Sequence, residues 1–583
     1  MAKYDLDTIR HSSAHVMAQA IFRLFPKQNV QLGVGPTIDD GFYYDVDMEH
    51  KITEEDLKMI EKEMKKIIKE KLPIKRNVLS REEAIEYFQK TGQTLKVELI
   101  KELPEEEEIS CYEQGEFTDL CRGPHVDNTS DIPPFFKLLH TAGAYWRGDS
   151  SRKMLQRVYA TGLLTKDELK KHLNFLQEAK KRDHRKLGTE LGLFIFDKSA
   201  PAMPFFTPRG SLIYHELIDF MRRIYPHYGY QEVITPQILD SELWHQSGHY
   251  ENYKENMYFT DIDKREFAVK PMNCPTAMVI YKHSKFSYRD FPLRYADFGR
   301  IHRYEKSGTL AGLTRVRTFI QDDAHIFLDI DDIQDEIAKL IEMFTTVYDH
   351  FNFDDVKIAL STRPEKKVGD DSSWDKAEMA LKEALDKSGK SYEINEGDGA
   401  FYGPKIDFVV SDAIRRRHQL GTIQLDFQLP ERFDLNFTNK NGELERPVVI
   451  HRALLGSIER FFGLYLEHVA GAYPFWLSPI QAVLIPVNNE NHLEFCKKLT
   501  EKLKKMNFRI HLDDRNESMG YKTRQTQKGK TPFMLVVGDR EIESNSVSIR
   551  KYGERQSESI TVSELEKMFL KLNEEKLPEK LRG

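Results

Sequence analysis

The sequence predicts a multidomain α+β protein, and three observations carry that expectation. The chain has 583 residues, about twice the size at which a single hydrophobic core stops growing, so it must divide into several domains. From about 190 to 475, aromatic-rich strand signals alternate with helical stretches. Beyond that, short apolar runs at 480–487 and 532–538 are separated by an amphipathic stretch. Buried strands alternating with helices indicate a small C-terminal α/β domain. The balance of 40% hydrophobic and 31% charged residues excludes a wholly disordered chain.

The elements follow in order. Ile9, Val16, Met17, Ala20, Ile21, Leu24 and Phe25 form the apolar stripe of a first helix, with Asp7 or Thr8 as its cap and Pro26 as its stop. Residues 33–47 read as loop and strand, and 53–71 as a strongly amphipathic helix. The acidic run 105–108 belongs in a solvated loop. Residues 165–189 are polar and basic and read as one connecting helix. A helix over 491–506 lies between the C-terminal strands. No internal repeat or low-complexity stretch is visible.

Charge narrows the partners. Lys and Arg number 86 against 93 Asp and Glu, a net charge of -7, which excludes a uniformly basic nucleic-acid coat protein but not a local basic face. Residues 477–583 carry 20 Lys/Arg against 16 Asp/Glu, and the rest 66 against 77. A mildly basic module on an acidic body hints at a polyanion partner. Cys111, Cys121, Cys274 and Cys496 are too few and too scattered for a disulfide framework. The N-terminus has no apolar signal core, and no run of about 18 apolar residues exists, so no membrane span is expected and the expected location is cytoplasmic.

Three constellations carry chemistry. His11 and His15, spaced i and i+4, share one face of the first helix, and a Gly123-Pro124 turn brings Cys121 near His125. Such a set could bind zinc, or form a metal-free pocket in which neutral imidazole activates water. Cys274, His325 and His451 have no short spacing and prove nothing by spacing. Arg303, Arg315, Arg317 and Arg460 lie beside aromatics such as Phe319. Guanidinium forks suit phosphate or carboxylate, and a ring gives a base a face to stack on. There is no P-loop and no Gly-x-Gly-x-x-Gly fingerprint, so a nucleotide would bind at neither kind of site.

Longer motifs add a resemblance. FGRIHRYE (298–305) and GSIERF (456–461) resemble motifs 2 and 3 of class II aminoacyl-tRNA synthetases, and YQEVITP (230–236) resembles motif 1, with Pro236 as its proline. Together with KPMNCP, QDDAHIF and VVIHRA they resemble the threonyl-tRNA synthetases; HSSAH with DLCRGPH resembles that family's editing pocket. The resemblance covers about residues 8–570. It implies an editing domain (1–163, α/β), a helical connector (164–189), a class II catalytic domain (190–475) with an antiparallel sheet flanked by helices, and an anticodon-binding domain (476–583, α/β).

It also implies roles. Threonine is joined to tRNA(Thr) through a threonyl-adenylate made from ATP with Mg²⁺, in a homodimer built on motif 1. Arg303 holds the α-phosphate and the substrate carboxylate, Arg460 the γ-phosphate, Phe319 stacks the adenine, Glu305 positions the base, and Arg315 and Gln424 join the nucleotide site. Cys274, His325 and His451 hold one zinc ion per subunit, which takes threonine's amino and hydroxyl groups. Gln321, Asp323 and Tyr402 surround threonine, His249 sits near the terminal ribose, and Lys405 and Gln419 look like further pocket residues. A site that engages the hydroxyl rejects valine strongly, but serine by only about 10–200-fold. His11, His15, Tyr44, Lys96, Asp119, Cys121 and His125 then hydrolyse seryl-tRNA, by water and without bound zinc. Asn516, Glu541 and Arg550 match anticodon contacts, and Asn and Arg can read base edges.

Two departures stand out. Members often read Cys-Pro-Gly-His where this chain has Cys274-Pro275-Thr276-Ala277. Many also carry a ubiquitin-like domain first, whereas the editing helix here begins almost at Met1; a form lacking that domain is expected. Two competing readings remain at this level: an RNA-binding regulator without ligation, against which Arg303, Arg460 and all three zinc-ligand candidates stand, and a deacylase with an inert body.

Overall fold

The computed structural model describes residues 3–149, 151–353 and 355–582. They form two compact units, Met1–Gln177 and Glu178–Gly583.

In the first unit the leading helix runs Leu6–Leu24. Its cap is Asp5, whose carboxylate accepts from Thr8 N at 2.7 Å, rather than Asp7 or Thr8. Those two lie inside the first turn, where their own N–H groups need a cap. The helix packs with Glu54–Glu70, whose apolar stripe buries Leu57, Ile60, Met64, Ile67 and Ile68. A Thr53–Asp56 capping box starts that second helix. Both helices share a core with an antiparallel sheet ordered Gln31–Leu32, Gly41–Asp47, Met154–Gly162, Phe136–Tyr145. A smaller antiparallel sheet of Ile74–Leu79, Ile109–Gln114 and Phe117–Leu120 leads into Cys121. Residues 105, 106 and 108 are exposed, as the acidic run requires.

The expected connecting helix is two helices, Lys166–Arg182 and His184–Leu191. Asp183 breaks the run because its side chain accepts from Arg185 N at 2.8 Å and caps the second helix.

The second unit is built on a nine-stranded sheet. Its central strands, Leu293–Asp297, Thr318–Leu328, Val448–Ser457, Arg417–Asp426, Lys405–Ser411 and Val356–Ser361, are antiparallel; the edge strands Gln231–Glu232 and Tyr392–Asn395 pair parallel. Helices Pro208–Ile224, Ile333–His350 and Ile458–His468 bury one face of the sheet in the largest core. The expected antiparallel sheet flanked by helices is therefore present. A separate five-stranded sheet follows. Ile510–Leu512, Ala482–Pro486 and Phe533–Val537 are parallel, and Ser546–Lys551 and Glu558–Thr561 continue antiparallel. The helices Asn489–Lys505 and Val562–Glu574 cover it.

Candidate functional site

In the first unit, the helical spacing places His11 and His15 on one face, and the turn after Cys121 returns His125 to them. Cys121 Sγ lies 3.2 Å from His11 Nε2 and 3.3 Å from His125 Nε2, and Gly123 N–H donates to the same sulfur. The His15 and His125 ring centroids are 4.1 Å apart. Behind them, Lys96 Nζ pairs with Asp119 at 2.6 Å, Tyr44 donates to the other Asp119 oxygen, and His15 Nε2 is 3.8 Å from it. All seven residues expected in this pocket converge. Ser12 joins them: its hydroxyl lies 3.1 Å from His125 Nδ1 and accepts from Val126 N. Its place in HSSAH, between His11 and His15, was the sequence signal for it.

Burial sets the protonation here. It pushes His11 down and His15 well down from the ordinary histidine value, so neutral rings persist into mild acid. It pushes the Cys121 thiol up to about 11. Near pH 7 the pocket therefore offers imidazole bases and a thiol, and not a thiolate nucleophile. Such a pocket can accept hydrogen bonds from a water and hold it for attack on a carbonyl. The ligand atoms of His11, His15, Cys121 and His125 also lie within 4.8 Å of one another, close enough to converge on a single metal ion.

In the second unit, the strands bring Cys274, His325 and His451 together, their ligand atoms within 4.8 Å. His325 and His451 are register partners on adjacent antiparallel strands, and Cys274 opens the helix Cys274–Lys282. All three are buried. Both ring nitrogens of His325 lack a hydrogen-bond partner, which is costly for a buried polar ring unless something else engages it. His451 Nε2 donates to Asp426 at 2.8 Å, which leaves the lone pair on Nδ1. Two imidazoles and a thiol with an oriented ring suit zinc and leave a coordination position free.

A cavity of about 250 Å³ opens beside this cluster, lined by Cys274, His451, Arg303, Gln321, Asp323, Tyr402 and Gln424 among others. Tyr402 donates to Gln424 Oε1 at 2.5 Å, and Asn273 donates to Asp323 at 3.1 Å. Burial pushes the Asp323 carboxyl up to about 6. The Arg303 guanidinium lies 5.2 Å from the Phe319 ring centre and donates to Pro271 O. His249 is fully buried, 3.7 Å from Cys274 Sγ, and burial pushes it down to about 3. Lys405 and Gln419 do not line the cavity. Both turn to Asp407, at 2.7 and 2.6 Å.

Glu305 pairs with Arg315 at 2.9 Å. Burial, then the charge of Arg315, lowers Arg460, whose buried Nε lacks a partner. Two guanidinia this close leave a demand for anionic oxygens. Asp426 and Asn273, which steady His451 and Asp323, were given no role by the sequence reading: Asp426 lies outside every motif quoted above, and Asn273 lies in KPMNCP beside the more conspicuous Cys274. Asn516 is exposed, Arg550 lies on the strand Ser546–Lys551, and Glu541 Oε2 accepts from Gly538 N at 2.9 Å.

The chain matches the profile of the tRNA synthetase class II core domain (G, H, P, S and T) over residues 254–469. It matches the anticodon binding domain over 481–572 and the threonyl and alanyl tRNA synthetase second additional domain over 109–159. It is 52% identical to threonine–tRNA ligase 2 of Bacillus subtilis, over 95% of this chain and 86% of that one. Against the threonine–tRNA ligase of Carboxydothermus hydrogenoformans it is 54% identical, over 94% and 86%. A crystal structure titled as the RNA binding domain of threonyl-tRNA synthetase from Cryptosporidium parvum superposes with a TM-score of 0.65 at 44% identity, covering 67% of this chain and 98% of that one.

Proposed function

The chain belongs to the threonyl-tRNA synthetase family, and on that premise we propose how its residues divide the work. The protein is a threonine–tRNA ligase of class II with a hydrolytic editing domain. Its substrates are threonine, ATP and tRNA(Thr), and the reaction needs Mg²⁺.

Threonine occupies the cavity beside Cys274, His325 and His451. Its carboxylate attacks the α-phosphorus of ATP, pyrophosphate leaves, and the adenylate then gives its acyl group to the tRNA ribose near His249. Arg303 holds the carboxylate and α-phosphate. Arg460 and Arg315 take the outer phosphates, Glu305 steadies Arg315, and Phe319 stacks the adenine. Such fixed cations stabilise the charge that develops in transfer. Gln321, Asp323 and Tyr402 enclose the amino acid, Gln424 orients Tyr402, and Lys405 and Gln419 support the wall through Asp407. A zinc ion on the three donors would bind threonine's amino and hydroxyl groups and so tell it from valine.

In the first unit His11, His15 and His125 act on water, which attacks the ester carbonyl of seryl-tRNA and releases serine. Lys96, Asp119 and Tyr44 hold the pocket's shape, and Cys121 stays a thiol. We read residues 1–163 as the editing domain, 164–189 as connector, 190–475 as catalytic domain and 476–583 as the anticodon reader, with Asn516, Glu541 and Arg550 at the bases. Ile234 within motif 1 and Ile238 just after it, 90% and 50% exposed, support a homodimer through that segment. The four cysteines are free, and no helix among the described residues is long and apolar enough to cross a membrane; we place the reaction in the cytoplasm.

The observation that carries the ligase reading is the convergence of Cys274, His325 and His451 on the cavity that holds Arg303. Threonine-dependent ATP–pyrophosphate exchange tests it. Exchange should be robust with threonine, weaker with serine and nearly absent with valine. Cys274→Ser should lose bound zinc and exchange together, and a normal rate in that variant would overturn the zinc assignment.

A further inference from the structure

One buried cluster lies outside both sites. His184 opens the helix His184–Leu191, and its own N–H donates to Glu467 Oε1 at 2.8 Å. Its Nδ1 lies 2.6 Å from the same oxygen, and Leu313 N–H donates to its Nε2 at 2.9 Å. An Nε2 that accepts from a main-chain N–H must carry the lone pair, so the ring proton is on Nδ1 and goes to Glu467. Asp183, His184 and Glu467 are grouped closely enough to suggest a metal site. With both ring nitrogens engaged, however, the imidazole has no lone pair left to ligate.

The two elements that this ring joins both carry nucleotide-site arginines. Leu313 lies in the loop between the strands Arg300–His302 and Thr318–Leu328, two residues before Arg315. Glu467 lies on the helix Ile458–His468, two turns after Arg460. Arg460 itself donates weakly to Thr314 O, at 3.5 Å. The packing is close on every side. A Cβ on Gly312, whose φ is +52°, would fall 2.2 Å from His184 Nε2, and one on Gly463 would fall 3.1 Å from Leu313 Cβ and 3.5 Å from the ring. Arg416 pairs with the second oxygen of Glu467, which holds the carboxylate in place.

We propose that His184 is a positioning residue for ATP: its imidazole pins the loop bearing Arg315 to the helix bearing Arg460, so that the two guanidinia stand in register for one polyphosphate. This rests on the ATP reading of those arginines given above. His184 touches no substrate and acts through Leu313.

Pyrophosphate exchange on the full chain tests it, with ATP and threonine titrated separately. His184→Leu keeps the bulk and removes both ring contacts; it should raise KM for ATP about tenfold, as expected for one buried main-chain donor left unpaired. KM for threonine should stay within about twofold. His184→Gln, whose amide oxygen can still accept from Leu313 N–H, should recover most of the loss. If His184→Leu does not fold, His184→Asn, which keeps the donor to Glu467 and drops the acceptor, is read in the same way. A wild-type KM for ATP in the leucine or asparagine variant overturns the proposal. So does an equal rise in both KM values without rescue by glutamine, which would mark a merely structural residue. Arg460→Ala separates the two layers: unchanged KM for ATP there overturns the ATP reading itself, whatever His184 does.

Discussion

Single side chains do their work here through partners that make no contact with substrate. Asp426 is the clearest case. It is fully buried, and its carboxylate accepts from His451 Nε2, which leaves Nδ1 as the only nitrogen able to ligate. Asp426→Asn removes the charge and, with Oδ1 held by the Gln428 and Leu429 N–H groups, turns the amide nitrogen toward His451 Nε2, where a donor faces the ring in place of an acceptor. Zinc retained after dialysis against a chelator should fall, with affinity about 10–100-fold weaker, the usual cost of losing such an outer partner. Metal analysis of the purified variant checks this without any activity assay; full retention would mean that His451 needs no orienting. The sequence displayed the three donors but could not bring them together. Cys274, His325 and His451 are far apart in the chain, and only strand register makes two of them neighbours. Asp426 lies outside every motif, and Asn273 and Ser12, though inside KPMNCP and HSSAH, had no role readable there: carboxylate, amide and hydroxyl groups are common, and only the folded geometry separates a support from a surface residue.

At the level of elements, strand alternation and one tight glycine aim the groups around the cavity. Gln321 and Asp323, two apart on the strand Thr318–Leu328, line the same cavity as alternation requires, and the ladder to Val448–Ser457 shifts register between them without changing that face. Gly403 is a tighter constraint. A Cβ there would fall 1.9 Å from Leu425 O, a main-chain atom that cannot swing away. Gly403→Ala must push the 400–404 turn off the strand that carries Gln424, and Tyr402 moves with it. Its kcat/KM for threonine should drop tenfold or more, while KM for ATP changes little, because the arginines we assign to ATP lie on other elements. Steady-state exchange with each substrate varied in turn decides the point. The helices were legible in advance, since Ile9 to Phe25 and residues 53–71 show their stripes openly. Their ends were not: Asp5 rather than Asp7 caps the first, and Asp183 splits the connector, because a cap depends on where one side chain turns.

Across the whole molecule, the two chemistries sit in separate compact units, and this predicts clean separation. His11→Ala/His15→Ala should abolish hydrolysis of seryl-tRNA(Thr) and leave threonine-dependent pyrophosphate exchange unchanged; a matching loss of both would contradict independent sites. Acid should weaken the first unit. Burial lowers His11 and His15, and burial with its two neighbouring imidazoles lowers His125, so the folded pocket binds protons less readily than unfolded histidine, with its pKa of about 6.5. Stability is then complete above about pH 7.5 and is lost as pH falls through 6.5 and below, where the unfolded chain takes up protons the pocket refuses. Each histidine contributes a slope of up to about 1.4 kcal/mol per pH unit. The urea midpoint of this unit should be lower at pH 5.5 than at 7.5, and more so than in His125→Asn. The residue string alone settled the fold class, the amphipathic helices, the absence of a disulfide framework and, through long unbroken motifs such as 298–305 and 456–461, the family; each is written in local periodicity or contiguous residues. The cavity, the rotation of Lys405 and Gln419 toward Asp407, the tautomer of His451 and the clamp at His184 were decided only by tertiary structure. The clamp at His184 and the tautomer of His451 depend on contacts between residues tens to hundreds of positions apart, and even for Lys405, two positions from Asp407, no local pattern in the chain records which of two available partners a side chain will meet.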